Sequence, residues 1–225
     1  MEKIYTIQKK YNKINNLSAT TTIIAINIIC FFIFSIALII NKNNPELIYN
    51  YGAINPANIL AGKYLWTFLT SMFLHGGIFH LLMNMLSLFF IGTLTERILG
   101  KKRFFSLYLI SGLFASLLFV ILAFFFQIDI NTYAVGASGA LFALIGFLML
   151  ITPNLPVYVF FIPIPIKMKY AAPGILILLW MISIAGNVPI GNTAHLGGLL
   201  AGLAYGFYIK KKYKNKTRMI SNHFS

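Results

Sequence analysis

Acidic side chains are almost absent from this sequence, which contains only Glu2, Glu46, Glu96 and Asp129. No two of them share an apolar run, so an intramembrane protease that uses a pair of aspartates is excluded. A transporter lacks support because membrane-embedded acids usually line its ion path. The single cysteine, Cys30, excludes an internal disulfide and a cysteine-rich metal cluster. An H-E-x-x-H motif is also missing, which argues against a zinc protease.

Apolar residues, in contrast, are abundant. Hydrophobic types make up 59% of the chain and charged types 10%, whereas soluble domains carry about 25% charged residues. A helix of about 20 apolar residues crosses a bilayer core. The predicted fold class is therefore an all-α, polytopic membrane protein with six transmembrane helices. The predicted spans, of which the last three are short, are Ala19–Ile40, Phe79–Thr95, Phe104–Phe126, Ala137–Ile151, Ala171–Ala185 and His195–Ile209.

The distribution of positive charge predicts the topology. The chain has 18 lysines and arginines and a net charge of +14. Apart from Lys42 and Lys63, these residues fall in the N-terminal tail, in loops 2–3 and 4–5, or after residue 209. Positive charge marks cytoplasmic loops, so both termini are predicted to be cytoplasmic and the location to be the cell (plasma) membrane. The charge then signals topology and attracts membrane lipid, and nucleic acid is not an expected partner.

This topology divides the chain into three parts. Residues 1–18 form a cytoplasmic N-terminal tail, residues 19–209 a six-helix membrane domain, and residues 210–225 a basic cytoplasmic tail. Loop 1–2, about residues 41–78, is aromatic-rich and is expected to lie partly in the membrane interface. Loop 4–5 contains four prolines, which break helices, so we predict an interfacial connector rather than a seventh span.

Four polar side chains are predicted to lie at one depth. Spans 2, 4 and 6 run in the same direction, and a helix rises about 1.5 Å per residue. Counted back from the cytoplasmic edge, Ser138 and His195 lie about 21 to 22 Å up, and Asn84 and His80 about 18 and 24 Å. Polar groups at such a depth usually face a bundle interior or a water-filled cavity.

Small residues predict that spans 4 and 6 touch. Small residues at intervals of four let helix backbones approach closely in membranes. They occur on both spans, at Gly139, Ala143 and Gly146 and at Gly198, Gly202 and Gly206. The contact would bring Ser138 within reach of His195. A hydroxyl beside an imidazole is a candidate nucleophile and base.

Other interpretations of these residues are simpler. Ser138 could cap a helix, and His195 could be a polar contact between helices. His75, His80 and Asn84 could suggest a metal site, but a spacing of five suits one helical face poorly and no acid or thiol joins them. We therefore expect neither metal nor cofactor.

Several motifs together resemble the rhomboid family of intramembrane serine proteases. They are G-x-S-G at Gly136–Gly139, A-H-x-x-G at Ala194–Gly198, H-x-x-x-x-H-x-x-x-N at His75–Asn84 and E-x-x-x-G at Glu96–Gly100. The resemblance covers nearly the whole chain and implies a rhomboid-like bundle.

Two positions depart from the family pattern. Thr67 follows Trp66 where the family often has arginine, which leaves the role of that arginine in loop 1–2 without a counterpart. Phe142 stands one helical turn after Ser138, where some relatives carry tyrosine. Its ring can pack beside His195, but the hydroxyl is absent.

The resemblance implies a Ser138–His195 dyad that cleaves transmembrane segments of other proteins near the outer face of the membrane. His80, Asn84 and the Ser138 backbone N–H would stabilise the oxyanion, while Gly136 and Gly139 would shape the nucleophile loop. A non-catalytic rhomboid-like protein that binds membrane clients is the alternative, although such relatives usually lack the serine or the histidine. The sequence leaves the oligomeric state open.

Overall fold

The computed structural model of the protein describes residues 18–159, 163–186 and 190–224. Helices dominate these residues, and the N-terminal tail predicted from the sequence lies almost wholly outside them. The helices are α1 (Ala19–Ile40), α2 (Pro45–Gly52), α3 (Pro56–Leu60), α4 (Thr67–Thr70), α5 (Ile78–Ser87), α6 (Thr93–Leu99), α7 (Lys101–Phe126), α8 (Ser138–Ile151), α9 (Met168–Gly186), α10 (Asn192–Lys212) and α11 (Lys214–His223). A π-helical turn at Leu88–Gly92 joins α5 to α6 into one helix.

Four of the described helices are long and apolar enough to span a bilayer, namely Ala19–Ile40, Ile78–Leu99, Lys101–Phe126 and Met168–Gly186. The apolar helix α8 is shorter, and α10 contains polar residues and several glycines. The six-span arrangement therefore stays a prediction. The helices that contain the fifth and sixth predicted spans are longer than those spans, since α9 has 19 residues and α10 has 21. Helix α10 extends beyond the apolar stretch at both ends, over Asn192–Ala194 and over Lys210–Lys212.

The outer helices expose apolar side chains as a membrane protein does. On α1, Ile33 and Ile39 are 63% and 72% exposed, and on α7 Phe125 is 72% exposed. Soluble proteins rarely expose apolar patches on this scale. These faces therefore contact lipid, and the chain is a multi-pass membrane protein.

Loop 1–2 is largely helical, which the sequence reading did not anticipate. Helices α2 and α3 each begin with a proline preceded by an asparagine cap, a favoured start because proline at the first helical position loses no needed hydrogen bond. Ile54 pairs with Ala134, which ties this loop to loop 3–4. The buried Thr67 hydroxyl donates to the Tyr64 carbonyl (2.8 Å), so it closes a local turn.

The described part of loop 4–5 is not a helix. Strands β1 (Pro156–Val157) and β2 (Ile166–Lys167) pair as a short antiparallel ribbon. This agrees with the predicted connector, although residues 160–162 lie outside the described residues.

The described chain beyond residue 209, predicted to be a basic tail, is largely helical. Helix α10 continues to Lys212, and after a break at Tyr213 helix α11 follows. Its Thr217 is buried and its Ile220 packs against the core. Lys214, Lys216 and Arg218 of this helix are exposed, so an amphipathic pattern holds the helix against the bundle.

Helices α8 and α10 form the centre of the fold, and their predicted contact is confirmed. A Cβ atom on Gly198 would overlap the Gly139 carbonyl oxygen, and one on Gly202 would overlap the Ala143 carbonyl oxygen. The two backbones touch because glycine occupies these positions. This close approach sets the distance between the elements that carry Ser138 and His195.

Glu96 connects the second long helix to the start of α1. Its carboxylate accepts hydrogen bonds from the Ser18 hydroxyl (2.9 Å), the Ala19 N–H (2.8 Å), and the N–H and hydroxyl of Thr20 (2.8 and 2.7 Å). A carboxylate at a helix N-terminus satisfies N–H groups that have no partner within the helix and interacts favourably with the helix dipole. This network positions α1 against the bundle.

Replacing Glu96 with alanine should lower the free energy of unfolding by about 2 kcal/mol, because charge-assisted hydrogen bonds are lost while their buried donors remain. Thermal unfolding in detergent measures the effect. Arg97→Ala, one residue along the same helix and exposed, is the matched control. An equal loss in both variants would show that the Glu96 network is not what holds α1.

Candidate active site

Ser138 is the first residue of α8, immediately after a tight backbone turn. Gly136 has a φ of 133°, a conformation that side-chain-bearing residues rarely adopt. Its N–H donates to the Ser71 carbonyl (2.8 Å), which anchors the turn to the segment before α5. Sequence reasoning did not single out Ser71, because a main-chain acceptor leaves no signal in residue type. The turn places the Ser138 hydroxyl at a helix N-terminus, where N–H groups lack partners within the helix.

His195 lies in the first turn of α10 and is 7% exposed. The Ser138 Oγ is 2.7 Å from His195 Nε2. This is hydrogen-bond distance for a nucleophile and its base. Two residues 57 apart in the chain therefore meet because α8 and α10 pack at backbone contact.

The His195 ring is oriented by packing. Phe142 stacks on it with ring centroids 4.6 Å apart and planes at 21°, so the contact expected for this phenylalanine is confirmed. The buried His195 Nδ1 has no hydrogen-bond partner in the described part of the chain. When Nε2 accepts from Ser138, the ring proton lies on Nδ1. Within the described residues no carboxylate orients it, so the arrangement is a pair rather than a triad.

His80 and Asn84 lie one turn apart on α5 and face the same space. Asn84 is buried and donates one amide hydrogen to the His80 carbonyl (2.8 Å), which leaves its second amide hydrogen unused. A methyl group on Gly136 would lie 2.9 Å from His80 Nε2 and 3.6 Å from Ser138 Oγ. The narrow space between Gly136, His80 and Ser138 therefore has no room for a further methyl group.

For the peptidase activity that the sequence resemblance implies, Gly136→Ala should lower cleavage of a transmembrane substrate about 100-fold or more, the typical cost of disturbing one oxyanion donor. The added methyl group occupies the space beside His80, and alanine is strained at this φ. Cleavage rates in detergent measure the effect. Gly77→Ala serves as the control, because nothing lies within 4 Å of a Cβ there. Unchanged cleavage by Gly136→Ala would show that this space is not used.

His75 lies in the loop before α5 as a buried, packed ring. It is 1% exposed, and neither ring nitrogen has a partner among the described residues. Its ring meets that of His80 edge to face, with centroids 5.0 Å apart. Burial, followed by the nearby His80, lowers the pKa of His75 to about 3, so this ring is neutral at ordinary pH and supports His80 sterically.

A cavity of about 1050 Å³ contains the site. Ser138, His195, His80 and Asn84 all line it. Its two long walls come from the second long helix (Phe79, Met83, Ser87 and Ile91) and from α9 (Ile175, Leu178, Leu179 and Ile182). No group of three or more metal-binding side chains is placed to hold an ion within the described residues. The cavity is thus a mainly apolar slot with a polar centre.

Comparison with known proteins identifies the family. A family model described as "Rhomboid domain" matches residues 62–212. RHOMBOID-like protein 1 of Arabidopsis thaliana is 38% identical over 176 residues, which cover 74% of this chain and 41% of that protein. Rhomboid protease GluP of Bacillus subtilis is 33% identical over 187 residues, which cover 81% of this chain and 33% of that protein. Rhomboid protein 1, mitochondrial, of Saccharomyces cerevisiae is 34% identical over 149 residues, which cover 63% of this chain and 41% of that protein.

The chain belongs to the rhomboid family. The predicted family and fold class, a rhomboid-like helical membrane bundle, are confirmed. Of these three relatives, the protein of Bacillus subtilis is named as a protease. The chain spans less than half the length of each of them.

Proposed function

We propose that this chain is an intramembrane serine endopeptidase that uses Ser138 as nucleophile and His195 as general base. The observation that carries the proposal is the 2.7 Å separation of Ser138 Oγ and His195 Nε2 inside the cavity. A serine hydroxyl is a weak nucleophile without such a base. The absence of a third member among the described residues supports a dyad.

In the proposed reaction, Ser138 Oγ attacks the carbonyl carbon of the scissile peptide and its proton passes to His195 Nε2. The oxyanion that forms accepts hydrogen bonds from His80, from the free amide hydrogen of Asn84 and from the Ser138 N–H. His195 then gives its proton to the leaving amine, and an acyl-enzyme remains on Ser138. A water molecule, deprotonated by His195, hydrolyses this ester and regenerates the hydroxyl.

The substrate class is another protein's transmembrane segment. The apolar walls of the cavity match an apolar chain, and the slot between the second long helix and α9 is the proposed way in from the lipid. The scissile carbonyl must first leave its helical hydrogen bond. Small or helix-breaking residues near the cut are therefore expected in substrates.

The proposed setting is the plasma membrane, with the Ser138 end of the bundle toward the outside and both termini cytoplasmic. The basic residues support this orientation, since those on α6, α7, α10 and α11 cluster at the opposite end from Ser138.

A fluorophosphonate probe tests the proposed function, because it reacts with activated serine hydroxyls and needs no knowledge of the substrate. We expect covalent labelling of the wild type, mapped to Ser138 by mass spectrometry, and no labelling of His195→Ala. Cleavage of a model transmembrane substrate in liposomes should accompany the labelling. A folded wild type that neither labels nor cleaves would overturn the proposal and favour a client-binding protein.

A further inference from the structure

Two cations converge on one tyrosine at the end of the bundle opposite Ser138. Arg103, in the first turn of α7, lies 5.3 Å from the centre of the Tyr213 ring and donates to its hydroxyl (3.1 Å). Lys212 Nζ lies 5.8 Å from the centre of the same ring and donates to the Tyr208 hydroxyl (2.7 Å). We call Arg103, Lys212, Tyr208 and Tyr213 the tyrosine–cation cluster.

No acidic side chain compensates these two charges in the described part of the chain. Both cations hydrogen-bond only to neutral hydroxyls there. Glu96 is the acid nearest to Arg103 in sequence, and its carboxylate already accepts four hydrogen bonds from residues 18–20. Further cations lie close to Arg103 and Lys212 in the sequence, namely Lys101, Lys102, Lys210, Lys211, Lys214, Lys216 and Arg218. Like charges held together cost free energy unless an anion joins them.

Phosphate chemistry suits this arrangement. A guanidinium binds phosphate oxygens through its fork of N–H groups, and an ammonium acts beside it as a point charge. Phosphate would replace the cation–ring contacts and the hydrogen bonds to neutral hydroxyls with hydrogen bonds in which donor and acceptor carry opposite charges.

The surroundings select a lipid rather than a soluble phosphate. Phe105, two residues after Arg103, is 42% exposed, and Phe207, one residue before Tyr208, is 66% exposed. Tyr208 itself is 50% exposed. The cluster therefore lies where an apolar, lipid-contacting surface ends, the level at which tyrosine is enriched and headgroups are found.

We infer that the tyrosine–cation cluster is a binding site for an anionic phospholipid. The phosphate lies between Arg103 and Lys212, and the acyl chains run along the apolar surface that Phe105 and Phe207 expose. The bound phospholipid would bridge the start of α7 and the end of α10, and so hold α11 against the bundle. This inference does not depend on the proteolytic activity.

The experiment compares lipid binding by the wild type and two doubly substituted variants in detergent micelles. Dioleoylphosphatidylglycerol and dioleoylphosphatidylcholine are titrated separately, and retention is read by native mass spectrometry together with the shift in thermal unfolding. Arg103→Gln with Lys212→Gln removes both charges of the cluster. Lys214→Gln with Lys216→Gln removes the same charge from α11, whose lysines contact no ring of the cluster, and is the matched control.

We expect the wild type and the control to retain phosphatidylglycerol alike, and the cluster variant to bind it about 25-fold more weakly, since each basic residue near an anionic lipid contributes about fivefold. Binding of phosphatidylcholine should be equal in all three. If the double variant unfolds, Lys212→Gln alone, at an exposed position, replaces it. We expect this single variant to bind phosphatidylglycerol about fivefold more weakly.

Three results would overturn the inference. Equal weakening in the cluster variant and the control would show a diffuse attraction to positive charge. Equal retention by all three proteins would show that the cluster binds no lipid. Inorganic phosphate could instead raise the unfolding temperature of the wild type at the same concentration as the lipid, and fail to do so in the cluster variant. That result would assign the site to a soluble anion.

Discussion

Replacing Ser138 with alanine should lower the rate of transmembrane-substrate cleavage by at least about 10⁴-fold. The variant keeps the cavity and the helix packing but has no atom to form the acyl-enzyme. His195→Ala should cost a similar factor, because an unassisted hydroxyl keeps its proton and attacks poorly. Rates are measured with a purified protein and a labelled transmembrane substrate in liposomes.

The double variant makes this prediction sharper. Residues that act as one catalytic unit are strongly non-additive, so Ser138→Ala with His195→Ala should be no slower than either single variant. Phe142→Leu is a useful companion, since it removes the ring that stacks on His195 but leaves both reacting atoms. We expect it to cost far less than the dyad variants. Cleavage by Ser138→Ala at the wild-type rate would reveal a contaminating protease and remove the basis of the proposed function.

Gly202→Ala should destabilise the protein by about 3 kcal/mol, the upper range for overpacking a well-filled core. A Cβ atom at this position overlaps the Ala143 carbonyl oxygen, and backbone cannot move aside as a flexible side chain can. The two central helices must separate, which also draws His195 away from Ser138. Both the unfolding temperature and fluorophosphonate labelling should therefore fall.

Gly174→Ala is the matched control for this variant. It lies within α9, and nothing lies within 4 Å of a Cβ there. Alanine is the better helix former by up to about 1 kcal/mol, so the control should be neutral or slightly more stable. If Gly202→Ala behaved like Gly174→Ala, the close approach of α8 and α10 would not be the feature that holds the site together.

The parts of the fold that could be predicted are those whose signal is local. The bounds of α1 were predicted without error, because a long apolar run follows a serine that caps it. Helices α2, α3 and α4 were missed, since each is shorter than the window over which hydropathy is averaged. Two of them, α2 and α3, were nevertheless marked in the sequence by an asparagine followed by a proline. The helical C-terminal segment was missed because its burial against the core rests on scattered residues such as Thr217 and Ile220.

By itself, the sequence determined that this is a membrane protein, and it determined which helix positions carry a candidate nucleophile and a candidate base. Composition gives the first result, and motifs of a few neighbouring residues give the second. Only the tertiary structure decided that Ser138 and His195 touch, that His80 and Asn84 share their cavity, and that Arg103 meets Tyr213 across 110 positions of the chain. Such contacts depend on which helix backbones come together and how closely. That is set by glycines buried against a neighbouring carbonyl. Their spacing predicted that α8 and α10 approach each other, but not which atoms face one another across the contact.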